Sequence, residues 1–305
     1  MIKVQGLEKS YEGKQVLRGL SLTVQPGEIV GLTGLKGAGK TTAMDIIAGV
    51  AAADKGTVEI SGILLDSETS AARQLVGYAP AEPAAPRDMS PRAWLRFLAD
   101  ARGMSSREAG DKIDTALKLL GIRDISDKPM SRLNRAALQL ASVAQAVFHE
   151  PEAVLIDEPT ADLDPKDILA LRAAIRAASK DRAVLLASDN LTEMCALCDR
   201  VLVLADGRVV SEGTPDQLHN MTRADEAAAR AAFAGVKGAE IKSAAPCGEG
   251  LELTVKTAGD QREALFLAAA KAGLPVLEIA AARKPLDELL ESLTVERFEG
   301  GGEEA

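Results

Sequence analysis

The chain has few aromatic residues: five Phe, two Tyr and one Trp in 305 positions. Its core must therefore be built from Ala, Leu, Val and Ile. Cysteine is also scarce, with three in the chain, which excludes a disulfide framework. Cys195 and Cys198 form a CxxC in "EMCALCDRVLVL", but no second pair follows to complete a zinc site. At that spacing the two share one face of a helix. Two readings stand for them: a pair of small buried residues, or a metal or redox role that needs its fold context. Cys247 stands alone. An excess of positive charge is missing as well. Thirty-six Lys and Arg face 45 Asp and Glu, a formal net charge of −9. That argues against a broad phosphate-backbone footprint, and so against nucleic acid as the main partner. No apolar run reaches the roughly 18–20 residues that a spanning helix needs. The first ten residues, "MIKVQGLEKS", lack the charged-then-apolar layout of a signal peptide. The expectation is a cytoplasmic chain whose membrane role would run through a partner.

What is present is ordinary for a globular protein: 47% hydrophobic and 27% charged residues. The length suits one large α/β domain and a smaller one. The first 65 residues read as strands broken by turns, "IKVQGLEKSY", "QVLRGLSLTV", "EIVGLTG" and "GTVEISGILL", with one helix after Gly39. In "QPGE", Pro26 and Gly27 suit the two central positions of a turn. From about 90 to 148 the pattern is helical. "SPRAWLRFLADARG" starts with Ser90 as N-cap and Pro91 at the first helical position and stops at Gly103. "SREAGDKIDTALKLLG" repeats that logic and stops at Gly121. After residue 150, strands and helices alternate: "AVLIDEP", "PKDILALRAAIRAAS", "AVLLAS", a short helix and "RVLVLADGRVVSEG". Alternation of this kind predicts a parallel sheet covered on both faces. Near residue 220 an Ala-rich amphipathic helix, "TRADEAAARAAFAG", is followed by a β-α-β-α series: "LELTVKT", "QREALFLAAAKAGL", "PVLEIAA" and "PLDELLESL". The predicted division is 1–215 for the main domain, 216–298 for a linker helix and a small α+β accessory domain, and 299–305 for a disordered tail.

The chemistry is concentrated in two stretches. "GLTGLKGAGKTTAMDIIAG" follows an apolar strand and opens a helix, with G-x-x-x-x-G-K-T at 34–41. Gly34, Leu35, Lys36, Gly37, Ala38 and Gly39 form a loop whose backbone N–H groups curl around a phosphate chain, aided by the helix N-terminus. Lys40 then reaches the β- and γ-phosphates, the Thr41 hydroxyl ligates Mg²⁺, and Thr42 completes the motif. In "VLIDEP" an apolar strand delivers Asp157 and Glu158 at its end. Asp157 suits the Mg²⁺ site from behind, and Glu158 is placed to polarise an attacking water.

Together, "GLKGAGKTT" and "LIDEPTADLDP" resemble the nucleotide-binding subunit of an ABC transporter over roughly residues 1–215. The resemblance implies a P-loop NTPase fold with a mostly parallel sheet, an antiparallel β subdomain and a helical subdomain. It implies Mg-ATP as ligand, ATP hydrolysis coupled to transport, a separate membrane permease, and a homo- or heterodimer with another ATP-binding subunit. The chain would then lie peripherally at the inner face of the membrane. Tyr11 matches the aromatic that stacks on adenine, and Asp162-Leu163-Asp164 the loop that meets the opposite subunit. "RQLVGYAPAEPAAPRDMSPRAWLRFLA", "RKPLDELLESLT" and the C-terminal βαβα segment are similar to the subfamily that pairs with ABC-2-type permeases, including gliding-motility and multidrug-type exporters. Chromosome-maintenance relatives need a long coiled coil, and translation-factor relatives two such domains in one chain; neither is present.

Three positions depart from the family pattern. The signature Leu-Ser-Gly-Gly-Gln, which implies closure over the γ-phosphate of the partner's loop, falls on Leu133, Asn134, Arg135, Ala136 and Ala137. Asn134 keeps a donor, whereas Arg135 brings bulk; it either finds the phosphate or, by preference, faces solvent. The Gln or Glu beside the metal and attacking water becomes Ala81, with Glu82 one residue late. The switch His becomes Asp189, whose carboxylate repels a phosphate. Lys36 stands where Asn or Ser is usual; it either restores part of the lost positive charge or faces solvent. Two functional readings follow: an ATPase with slow or partner-dependent turnover, and a pseudo-ATPase that binds ATP to regulate or scaffold. A third class, P-loop partitioning or signalling switches, fits less well, because the Asp-Glu-Pro run and the loop after it are foreign to it.

Overall fold

The computed structural model describes residues 1–65, 70–83, 85–217, 226–247, 250–257, 259–272 and 279. Near the N-terminus, apolar side chains at alternating or near-alternating positions turn toward one face. β1 (Ile2–Tyr11) buries Ile2, Val4 and Leu7, β2 (Lys14–Val24) buries Leu17, Leu20, Leu22 and Val24, and β4 (Lys55–Ile60) buries Val58 and Ile60. Between β2 and β4 come β3 (Ile29–Thr33) and α1 (Lys40–Ile47). With β5 (Ile63–Leu64) these strands form an antiparallel sheet in the order β2-β1-β4-β5. "GTVEISGILL" is thus a hairpin rather than one strand. Ser61 and Gly62 both take positive φ, 47° and 88°, which is the requirement of a tight two-residue turn. In "QPGE" the expected turn forms, with Gly27 at φ 79° and the Glu28 amide donating to the Gln25 carbonyl.

The second sheet has six strands, in the order β10-β9-β3-β8-β7-β6. They are β6 (Val76–Ala79), β7 (Ala153–Asp157), β8 (Ala183–Ser188), β9 (Arg200–Ala205) and β10 (Arg208–Gly213), with β3 in the interior. All pair in parallel except the edge strand β10. β3, β7 and β8 are buried at every position, as expected when both faces are covered. Successive residues feed two cores. Ala153 and Leu155 join Leu32, Met44 and the first sheet, while Val154 and Ile156 join Trp94, Leu117 and Phe148 on the other side. That other side is helical: α3 (Pro91–Ala101), α4 (Ser106–Leu119), α5 (Arg135–Val147), α6 (Pro165–Ala178) and α7 (Leu191–Leu197), preceded by the short α2 (Ser70–Gln74). Ser90 caps α3 by accepting from the Ala93 amide, with Pro91 next to it, as the sequence predicts. For α4 the cap is Ser105, one residue earlier than expected.

The C-terminal part contains α8 (Glu226–Phe233), β11 (Glu240–Cys247), β12 (Gly250–Lys256) and α9 (Arg262–Lys271). β12 and α9 occupy the stretches read as strand and helix, but β12 is the second arm of an antiparallel hairpin. The first arm, β11, escapes the sequence reading because "EIKSAAPC" carries Ala-Ala-Pro where strand formers are expected. The predicted strand "PVLEIAA", the helix "PLDELLESL" and the tail 299–305 lie outside the described residues, apart from position 279. Among the described residues no helix is long and apolar enough to cross a membrane.

Candidate functional site

The parallel strands β3, β7 and β8 run side by side and end together, with Thr33 paired to Ser188 and Asp157 to Ala187. Ligands of open α/β sheets bind at such C-terminal strand ends. From Thr33 the chain enters the loop 34–39 and then α1. A Cβ on Gly34 would lie 2.1 Å from the Leu204 carbonyl oxygen, so no other residue fits against β9 there. Gly39 takes φ 105° and is the N-cap of α1, with no side chain capping the helix. The first amides of α1 are left for an incoming acceptor.

Lys40 is buried, and its Nζ donates to the Gly34 carbonyl at 2.7 Å and more weakly to that of Leu35 at 3.4 Å. The Thr41 hydroxyl donates to Asp157 Oδ2 at 2.9 Å. Asp157 is 1% exposed, and its Oδ1 has no hydrogen-bond partner among the described residues. Burial pushes its carboxyl above the usual carboxylate range; the Thr41 hydroxyl and the Lys40 charge pull the other way. An orphaned buried carboxylate oxygen beside a threonine hydroxyl is a donor set that fits a hard divalent cation.

Glu158 takes a left-handed φ of 44°, and its amide donates to the Ala187 carbonyl. Its Oε2 accepts from the Ser188 hydroxyl at 2.9 Å, and Ser188 in turn accepts from the Asn190 amide. Burial raises the Glu158 carboxyl, the Ser188 bond lowers it, and neighbouring Asp189 raises it again. These groups border one cavity of about 640 Å³, whose lining also includes Lys36, Lys40, Thr41 and Asp162.

A family model described as ABC transporter matches residues 17–161, from β2 through the carboxylate pair. The daunorubicin resistance ATP-binding protein DrrA3 of Streptomyces coeruleorubidus is 30% identical over 301 residues, covering 96% of this chain and 95% of its own. This chain belongs to the ABC transporter family. The Nod factor export ATP-binding protein I of Burkholderia lata, at 31% identity, covers 71% of this ABC chain and 72% of its own. A solved ATP-binding subunit of an ABC transporter superimposes with a TM-score of 0.64 at 28% identity, over 72% of this chain and 92% of the other. The chain is an ABC ATP-binding subunit.

The positions read in the sequence as departures from the family pattern fall in different places. Asn134 is the N-cap of α5, its Oδ1 accepting from the Ala137 amide at 2.9 Å, and Ala136 and Ala137 are buried in the first turn. Arg135 is exposed, the preferred reading of the sequence, and it also has partners. Its Nε donates to the Ala161 carbonyl at 3.0 Å and its guanidinium lies 3.5 Å from Asp162. Ala81 is half-buried, and its carbonyl accepts from Gln139 Nε2 at 3.3 Å. Glu82 is exposed, and neither it nor Ala81 borders the cavity described above. Asp189 and Lys36 are both exposed and both border it. Tyr11 ends β1, is 46% exposed as a residue, and has the Lys9 Nζ 5.3 Å from its ring centre. Burial raises the Cys195 and Cys198 thiols and keeps both protonated; Cys198 is packed against Met194.

Two residues of consequence went unread in the sequence. Ser188 fixes the Glu158 carboxylate, and the buried Gln139 holds the Ala81 loop. For Ser188 the signal was its place at the end of an apolar strand, next to the switch position. Gln139, one polar residue in the apolar series of "RAALQLASVAQAV", gave a signal too.

Proposed function

We propose that the chain binds Mg-ATP between the 34–41 loop and the Asp157–Glu158 pair, and that slow or partner-dependent hydrolysis drives export through a separate membrane permease. The observation that carries the reading is the Thr41–Asp157 hydrogen bond with the second Asp157 oxygen left bare inside the fold. In this reading Lys40 exchanges its two loop carbonyls for phosphate oxygens, and the amides of Gly37 to Thr42 surround the phosphate chain. Thr41 and Asp157 would hold Mg²⁺, which would supply positive charge against the phosphates and a partner for the buried carboxylate. Glu158 orients the attacking water and accepts its proton. Its raised proton affinity improves it as a base. Tyr11 stacks on the adenine. The subunit works as a homo- or heterodimer at the cytoplasmic face of the membrane; the name of the Burkholderia relative supports export as the direction. Residues 1–215 form the ATP-binding unit and 216–298 the accessory one.

A second reading, a regulatory subunit that binds ATP with little turnover, is favoured by one observation. The lining of the cavity carries Asp189 as well as Glu158, a charge that opposes a γ-phosphate. Titration calorimetry and a steady-state ATPase assay separate the readings. Mg-ATP should bind in the micromolar to millimolar range, about −8 to −4 kcal/mol, and Lys40→Ala should weaken it sharply. Absence of binding by folded wild type would remove both readings. Turnover above that of Glu158→Gln selects the first, and turnover equal to it the second.

A further inference from the structure

Leu35, second in the phosphate loop, packs against a small apolar cluster of Val203, Ala205 and Phe266. Val203 and Ala205 lie on β9, whereas Phe266 comes from α9 in the C-terminal part of the chain. Phe266 is buried, and Leu267 and Val210 flank the same cluster. The loop is thus seated twice on one support. The Gly34 backbone rests against the Leu204 carbonyl, and the Leu35 side chain enters the cluster that Phe266 completes. Gly34 and Leu35 are also the two residues whose carbonyls hold Lys40. Any shift of Leu35 therefore moves the acceptors of the lysine that would receive phosphate.

We infer that Phe266 is a positioning residue for the ATP phosphate loop, acting through Leu35, so that the C-terminal segment sets the affinity of the nucleotide site. The inference rests on the reading above, that this loop takes the phosphates of ATP. A loop made largely of glycine and alanine has few side chains with which to fix its own shape. Leu35 supplies an apolar anchor, and one of the three buried residues it packs against, Phe266, lies outside the sheet that carries the loop. A loop held ready binds without the ordering cost that a loose one must meet. Movement of α9 away from β9 would loosen the loop, which gives any event at the C-terminal segment a route to the site.

The test uses the full chain and four variants. Phe266→Ala should raise the Mg-ATP dissociation constant about five- to tenfold, the lower range of typical coupling between sites. Phe266→Leu, which keeps an apolar side chain in the cluster, should restore it to within about twofold. Leu265→Ala is the control: Leu265 is as buried on the same helix but lies outside the cluster that Leu35 touches. Hydrogen exchange without nucleotide gives the second readout. Amides 34–41 should exchange faster in Phe266→Ala and not in Leu265→Ala. Leu35→Ala, which removes the contact from the loop side and leaves α9 intact, should speed the same amides even if Phe266→Ala fails to fold. If 34–41 exchange is unchanged in Leu35→Ala and in Phe266→Ala, or Phe266→Ala matches Leu265→Ala in both readouts, the inference is overturned. Failure of the wild type to bind Mg-ATP would instead sink the reading of the site, while the nucleotide-free exchange still decides the role of Phe266.

Discussion

Arg135 is tied to Asp162, guanidinium to carboxylate at 3.5 Å, while its Nε donates to the neighbouring Ala161 carbonyl at 3.0 Å. Asp162 holds a left-handed φ of 57° and borders the cavity at the 34–41 loop. The side chain that brings bulk at the position matched to the signature is thus paired with a residue that lines this chain's own cavity. Both groups are substantially exposed, so the ion pair contributes about 0–1 kcal/mol.

Replacing Asn134 to Ala137 with Ser-Gly-Gly-Gln tests what the altered signature does. The change releases Asp162, and glycines in the first turn of α5 cost about 1 kcal/mol each. Against this, a regained donor to the transition state is typically worth about 2.7–4 kcal/mol, roughly a hundred- to thousandfold in rate. The expected outcome is a partial gain, about tenfold, in steady-state ATPase of the folded dimer, because Ala81 and Asp189 still limit each site. A flat or falling rate at intact fold would mean that this stretch only starts a helix.

Tyr11→Ala tests adenine stacking. Lys9 already lies over one face of the ring, which leaves the other face for a base. Losing the stack should weaken ATP binding by about 0.5–1.5 kcal/mol, roughly two- to twelvefold in the dissociation constant. Fluorescence titration with ATP is the measurement. An unchanged constant would assign Tyr11 to the strand end alone.

The parallel core was legible because "AVLID" and "AVLLAS" are apolar up to their last residue, which suits a strand covered on both faces. The Gly34–Thr41 loop was legible because backbone chemistry dictates it. What escaped depends on contacts between distant residues. Nothing local in "LNRAAL" says that Arg135 meets Asp162, and nothing in "QREALFLAAAK" says that Phe266 shares a cluster with Leu35. β11 escaped for a different reason, since pairing with β12 overrides the weak strand propensity of its Ala-Ala-Pro run.

Asp157→Asn should stabilise the nucleotide-free protein while impairing Mg²⁺-dependent ATP binding. Burial raises the Asp157 carboxyl in the folded state above its unfolded value. Between those two values the native state holds the extra proton, so this group's contribution to stability falls as pH rises through the window. Above the window the buried charge is a constant burden, and below it the burden vanishes. The asparagine variant should therefore melt about 2–4 °C higher per kcal/mol relieved at pH 8, with the advantage shrinking toward pH 4. Equal melting temperatures of variant and wild type at pH 8 would mean that the bare Oδ1 is not a source of strain.

Asp189→His completes the set, because Asp189 acts on Glu158 as well as on the nucleotide. In the wild type, its charge adds to burial in raising the Glu158 carboxyl, against the Ser188 hydrogen bond. An imidazole at 189 removes a like charge and offers a donor to a γ-phosphate. Two effects should appear together. ATPase activity should rise, and it should rise further when combined with the restored signature than with either change alone, because both groups would contact one phosphate. The acid limb of the pH–rate profile, which follows ionisation of Glu158, should also move to lower pH, since the group that held its proton on has gone. A rate gain without this displacement would mean that Asp189 opposes the phosphate only. A displacement without a gain would mean that turnover is limited elsewhere, at the signature or at Ala81. If neither occurs, Asp189 has no part in the reaction, and the regulatory reading of this subunit loses the observation that favours it.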